Sequence, residues 1–162
     1  MFITMKTFPL RPQCGSALLE ALIAILIFSM GIIALMGLQA ASIKNSIDAK
    51  YRADAAYLTN QIIGQMWVDR ANLDSYAHNP TAGTVCTPTG AASTNAYVVA
   101  WLNQFTTTTS SSFLPGAVSS KQQISVTTPF TNTKQVTVTV CWKGPQEINY
   151  HNFVATAQIN TP

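Results

Sequence analysis

From Ala21 to Ile43 the chain runs 23 residues without a charge, mostly Ala, Leu, Ile and Met. A membrane-spanning helix needs roughly 20 such residues. The core helix of a soluble domain is usually shorter and amphipathic. A cleaved secretory signal has an apolar region of about 7–15 residues that ends in a small-x-small cleavage site. This run is longer, and a helical pattern continues beyond it. Ile43, Ile47, Tyr51, Ala55, Leu58, Ile62 and Met66 recur at steps of three or four, which marks one face of an amphipathic helix. Lys44/Asp48, Asp48/Arg52 and Lys50/Asp54 are opposite-charge pairs at i,i+4 on the other faces, each able to add a few tenths of a kcal/mol. The spacing predicts one helix from Ser16 to about Asn72, about 57 residues and roughly 85 Å long, of which about 30 Å would fill the bilayer core.

The remainder alternates between turn signals and short periodic stretches. Residues 73–95, with Pro80, Gly83, Pro88 and Gly90, read as loop. Residues 95–105 fit a strand around Tyr97-Val-Val, or a short helix with Val98, Leu102 and Phe105 on one face; the helix is favoured. Thr106–Ser112 is a run of seven hydroxyl residues, expected as exposed loop. Three stretches then alternate at period two: Gln122–Thr128 around Ile124 and Val126, Gln135–Trp142 with Val136, Val138, Val140 and Trp142, and Asn152–Asn160 with Phe153, Ala155, Ala157 and Ile159. Thr128-Pro-Phe-Thr-Asn and Lys143-Gly-Pro separate them, so an antiparallel meander is expected. A helix with one apolar stripe and a sheet with one apolar face can cover each other. The expected fold class is α+β, a long N-terminal helix with a transmembrane half and an amphipathic half, packed on a small antiparallel β-sheet.

Composition sharpens this picture. Only 9% of the 162 residues are charged, against about 25% in an average soluble domain. Thr, Ser, Asn and Gln make 52 of the 162, and no charge lies between Asp74 and Lys121. The net charge of +3 comes without a basic cluster; Lys121, Lys134 and Lys143 are thin support for neutralising phosphates, so nucleic acid is not expected as a partner. His78 and His151 are the only histidines, and neither stands at zinc-ligand spacing from a second His or a Cys pair. Asp69, Asp74 and Glu147 do not share one loop as calcium ligands would. No phosphate loop, nucleophile elbow or catalytic constellation is recognisable, so neither an enzyme nor a resident metal or cofactor is expected.

One residue breaks the apolar logic. Glu20 stands at the edge of the run, where an ionisable side chain either reaches the interface or needs a partner. Ahead of it come Lys6 and Arg11 and then Gln13-Cys14-Gly15-Ser16, giving the order basic leader, Gly, small residue, apolar residues, and Glu five residues after the Gly. This resembles the prepilin leader of type IV pilins and type II secretion pseudopilins. The segment Gly31-Ile-Ile-Ala-Leu-Met-Gly-Leu-Gln-Ala40 is similar to a stretch of PilV-type minor pilins. Trp101, Leu114-Pro-Gly, Val138–Trp142 and His151 agree in a patchier way.

The resemblance implies a pilin-like fold and cleavage between Gly15 and Ser16 by a prepilin peptidase. It also implies N-methylation of Ser16, where the family usually has Phe, and a role for Glu20 in pairing with a mature N-terminus during assembly. It divides the chain into a leader (1–15), a transmembrane and assembly helix (16–43), the amphipathic half of that helix (44–72) and a periplasmic head (73–162). The implied protein is a single-pass inner-membrane precursor that enters a surface pilus. Its implied partners are other minor pilins, the major pilin, the inner-membrane assembly platform and a tip adhesin. A minor pseudopilin of a type II secretion system is the alternative. Loss of the leader would remove Cys14 and leave Cys86 and Cys141, which read as a disulfide in an extracytoplasmic head, two unrelated buried thiols being the alternative. Lys6 and Arg11 on one side of the run and Lys44, Lys50 and Arg52 on the other leave orientation open by charge alone.

Overall fold

The computed structural model describes residues 16–145 and 147–162. The expected leader, with Cys14 and Gly15, lies outside the described residues. The chain divides between Asn45 and Ser46 into two compact units. Helix α1 (Ser16–Val68, 53 residues) runs from the first into the second. At 1.5 Å per residue it is about 80 Å long.

In the first unit every described residue is exposed, including Leu22, Ile25, Phe28, Ile33 and Leu38. This is one helix long and apolar enough to cross a membrane, consistent with single-pass anchoring. Gly31 and Gly37 have open space where a Cβ would stand, so nothing among the described residues demands them.

The second unit is an α+β head. Besides the end of α1 it contains a 3₁₀ turn (Arg70–Tyr76), helix α2 (Ala96–Thr106) and three strands, β1 (Gln123–Phe130), β2 (Thr133–Trp142) and β3 (His151–Asn160). The strands form an antiparallel sheet in the order β1-β2-β3, the expected meander. Ile124 pairs with Val138, Val136 with Ala157 and Val140 with Phe153. The register between β1 and β2 shifts between Thr127 and Phe130, beside Pro129, which has no N–H to give the ladder. Asn132, at φ 60°, turns the hairpin.

One buried cluster joins these elements. Ala55, Leu58, Ile62, Ile63 and Met66 come from α1, and Val98, Trp101, Leu102 and Phe105 from α2. Ile124, Val136, Val138, Val140, Trp142 and Ile159 come from the sheet, with Phe153, Ala155 and Ala157 packed at its margin. The helix stripe is shorter than its periodicity suggests: Tyr51 is half-buried, whereas Ile43 and Ile47 remain exposed. The three i,i+4 charge pairs of α1 do not close among the described residues, where the recorded ion pairs are Lys134–Asp74 and His151–Glu147. A fully buried aliphatic side chain contributes about 1.5–3 kcal/mol, far more than such a pair, so packing sets this part of the helix.

Helix α1 also ends earlier than the pattern implies, at Val68 instead of near Asn72. Asp69 and Asn72 cause this. Asp69 leaves helical geometry at φ −105° and ψ 48°, and the Asn72 side chain donates to Asp69 Oδ1 at 2.7 Å. Short polar side chains that bond locally compete with the helical ladder. The chain then tightens into the 3₁₀ turn and buries Leu73 and Tyr76. Helix α2 starts where Asn95 accepts a hydrogen bond from the Tyr97 N–H at 2.9 Å, an N-cap. Its Trp101 donates through Nε1 to the Leu58 carbonyl of α1 at 2.8 Å.

Tyr76 is buried and donates its hydroxyl to Asp69 Oδ2 at 3.1 Å. Burial, with a further push from the Asp69 carboxylate, raises its pKa from 10.0 to about 12. The folded chain therefore holds this proton more tightly than the unfolded chain does. Stability from this group is complete below pH 10 and drains away as pH rises towards about 12. Tyrosinate absorbance during an alkaline titration should show one tyrosine ionising near the end of the range. Tyr76→Phe should remove that late step and flatten the alkaline loss of stability.

Candidate functional site

The residues singled out in the sequence fall in separate places. Ser16 is the first described residue and the first of α1, and Glu20 stands one turn further on the same face, exposed. Gly15, the other side of the expected cleavage point, lies outside the described residues.

Cys86 and Cys141 are brought together in the head, with an S–S distance of 2.07 Å and 5.8 Å between their Cα atoms. Cys86 sits in the 73–95 loop at φ 61°, a conformation few residues other than Gly adopt freely. Cys141 lies near the end of β2 with no exposed surface. The link ties an irregular loop to the central strand.

A polar lattice surrounds this link, and the sequence gives little sign of it. Gln122 is fully buried. Its Oε1 accepts from the Cys141 N–H at 2.7 Å, and its Nε2 donates to the Cys141 carbonyl at 3.0 Å and to the Val118 carbonyl at 3.0 Å. One side-chain amide thus satisfies the main chain of Cys141 on both sides, as a neighbouring strand would. Asn79, at φ 43°, donates to the Gln122 carbonyl at 3.1 Å.

His78 is buried as well. Its Nδ1 accepts from the Ser93 N–H at 3.1 Å, which leaves Nε2 as the protonated nitrogen, 3.0 Å from the Ser119 carbonyl. His78 and Ile124 also exchange backbone hydrogen bonds of 3.0 and 2.9 Å. Its role in the head is to hold three segments together.

The lysines that a nucleic-acid surface would need are engaged within the head. Lys121 and Lys143 lie 4.5 and 5.5 Å from the centre of the Tyr150 ring, and Lys134 pairs with Asp74. A cleft of about 150 Å³ between α1 and α2 is lined by Gln61, Ile62, Gln65, Tyr97, Ala100, Trp101 and Gln104, a mixed polar and apolar surface.

One grouping escaped the sequence reading. Asp48 of α1, Glu147 of the β2–β3 loop and His151 at the start of β3 place their ligand atoms within 4.8 Å of one another. Glu147 and His151 are four residues apart, but Asp48 lies about a hundred residues earlier, so no spacing motif announces the three together. Compared with known protein families, with characterised proteins and with solved structures, the chain matches none.

The cysteine link has a measurable weight. Opening it should cost the head roughly 2–4 kcal/mol, because the unfolded chain regains the freedom of a long loop. Cys141→Ser should shift the urea midpoint of the purified protein downwards. The shift should disappear when both proteins are compared under reducing conditions.

Proposed function

We propose that this chain is a minor pilin of the PilV type, made as an inner-membrane precursor and incorporated into a type IV pilus with other minor pilins and the major pilin. The observation that carries the reading is the register Gly15-Ser16 followed by Glu20 at the head of an uncharged run of 23 residues. Three features of the chain support it. The run lies in a helix apolar enough to cross a membrane. The same helix continues into an α+β head with part of its stripe buried there. The head carries a cysteine pair at disulfide distance, which suits an oxidising compartment such as the periplasm.

The mechanism turns on Glu20. In the bilayer its carboxylate needs a cation. Cleavage after Gly15 by a prepilin peptidase creates one, the methylated amine of Ser16. Within one subunit that amine merely neutralises the charge. Offered by a neighbouring subunit, it converts the cost of burying a carboxylate into a docking signal that fixes axial register as the subunit leaves the membrane. The open space beside Gly31 and Gly37 suits the close approach of a neighbouring helix.

Two measurements test the proposal. Mass spectrometry of the mature chain should show loss of residues 1–15 and a methyl group on Ser16, whereas an intact N-terminus in purified pili would contradict it. Glu20→Ala protein should be cleaved, stable and membrane-bound, yet fail to co-purify with partner pilins. Normal pilus number and partner recovery with Glu20→Ala would make Glu20 an interfacial residue and refute the docking role. A deletion that reduces protein secretion and leaves pili intact would point instead to a minor pseudopilin.

A further inference from the structure

We propose that Asp48, Glu147 and His151 form a divalent-metal site, with zinc as the best match, that fastens the β2–β3 loop to helix α1. This inference stands apart from the pilin reading. Two of the three ligands already stand side by side. His151 Nε2 lies 2.8 Å from Glu147 Oε2. The His151 ring is stacked on the buried Trp142 ring at 5.8 Å between centres, which fixes its plane. Glu147 Oε2 also accepts the Gly144 N–H at 3.0 Å. A Cβ at residue 144 would stand 2.7 Å from Glu147 Oε2, so the carboxylate packs directly against the main chain there.

The third ligand comes from α1. Asp48 is exposed, and its carboxylate lies within 4.8 Å of the other two ligand atoms. Around a tetrahedral zinc with bonds of about 2.0–2.1 Å, neighbouring donors stand about 3.3 Å apart. The Asp48 carboxylate would therefore close by up to about 1.5 Å, by rotation about its own side-chain bonds at an exposed helix position, while His151 Nε2 and Glu147 Oε2 part by about 0.5 Å as the metal replaces the hydrogen bond between them. One imidazole nitrogen and two carboxylate oxygens make a donor set that zinc accepts, with a fourth position left for water. Calcium prefers six to eight oxygens and fits poorly.

The chemistry also explains why such a site would be useful. The described residues between Trp142 and His151 form no helix or strand, while the disulfide ties the end of β2 through Cys141. A metal held by Asp48 would fix the far side of the same loop to the helix.

The test uses the full chain in detergent micelles, stripped of metal with a chelator and titrated with zinc chloride by calorimetry. One zinc per chain is expected. Asp48→Asn and Glu147→Gln, which preserve size and hydrogen-bonding capacity, should each weaken binding by about tenfold or more. His151→Phe, which keeps the stack on Trp142, should do the same, with circular dichroism unchanged in all three. The His151 ring signals should shift on zinc addition in NMR spectra. Zinc binding that is unaltered in Asp48→Asn and Glu147→Gln would belong elsewhere, Cys14 included, and would overturn the proposal. So would the absence of zinc uptake, or a preference for calcium under the same conditions.

Discussion

The head depends on mutual cover between a helix and a sheet that each have a single apolar face. Neither can stand in water alone: α1 presents Ala55, Leu58, Ile62 and Met66 on one side, and the sheet presents Val136, Val138, Val140 and Trp142. At about 1.5–3 kcal/mol for each large aliphatic side chain removed from water, their union outweighs every surface ion pair in the molecule. The other elements take their places around that union. Helix α2 closes one margin with Trp101 and Phe105, and the loop that carries Cys86 is drawn in against β2. The apolar faces decide which surfaces meet, and the polar lattice around Gln122 and His78 decides how the intervening loops lie.

Period-two alternation exposed all three strands and their inward faces, because a half-buried sheet repeats its burial with the pleat. Helix α2 was legible for the related reason that Val98, Leu102 and Phe105 can share a face only at helical spacing. The end of α1 was not legible. The apolar stripe reaches Met66 and the helical pattern blurs beyond it, so the decision falls to Asp69 and Asn72, whose short side chains turn the chain locally. The start of the packed stripe was misread too. Ile43 and Ile47 continue the periodicity yet are exposed, because periodicity records a face and says nothing about how far its cover extends.

The candidate sites divide along a similar line. Ser16 and Glu20 stand in one short segment, four residues apart on one helix face, as their order in the sequence places them. Cys86 and Cys141 could be matched only through the resemblance that sets Cys14 in a leader and so leaves two cysteines. Gln122, His78 and the Asp48–Glu147–His151 group could not. Each has at least one partner well separated in sequence, and nothing in the local sequence marks that pairing. Gln122 reads as one more polar residue in a polar chain, yet it bonds to the main chain of Cys141 on both sides. In a head so poor in charge, neutral amides carry the polar tethering that ion pairs provide in other folds.

The Trp101 indole adds a constraint of a different kind. Apolar packing is forgiving: a helix can shift against a sheet and still cover it. The bond from Trp101 Nε1 to the Leu58 carbonyl is not forgiving. A screw of one residue would offer a neighbouring carbonyl but turn the apolar stripe about 100° off the sheet, and sliding α1 along its axis by half a turn, about 2.7 Å, would carry the carbonyl beyond hydrogen-bonding range. It would leave a buried indole N–H unsatisfied, at a cost of about 1–3 kcal/mol. This single bond therefore acts as a detent. Under axial load on this stretch of α1, the head should hold one setting and then let go, with no gradual sliding between.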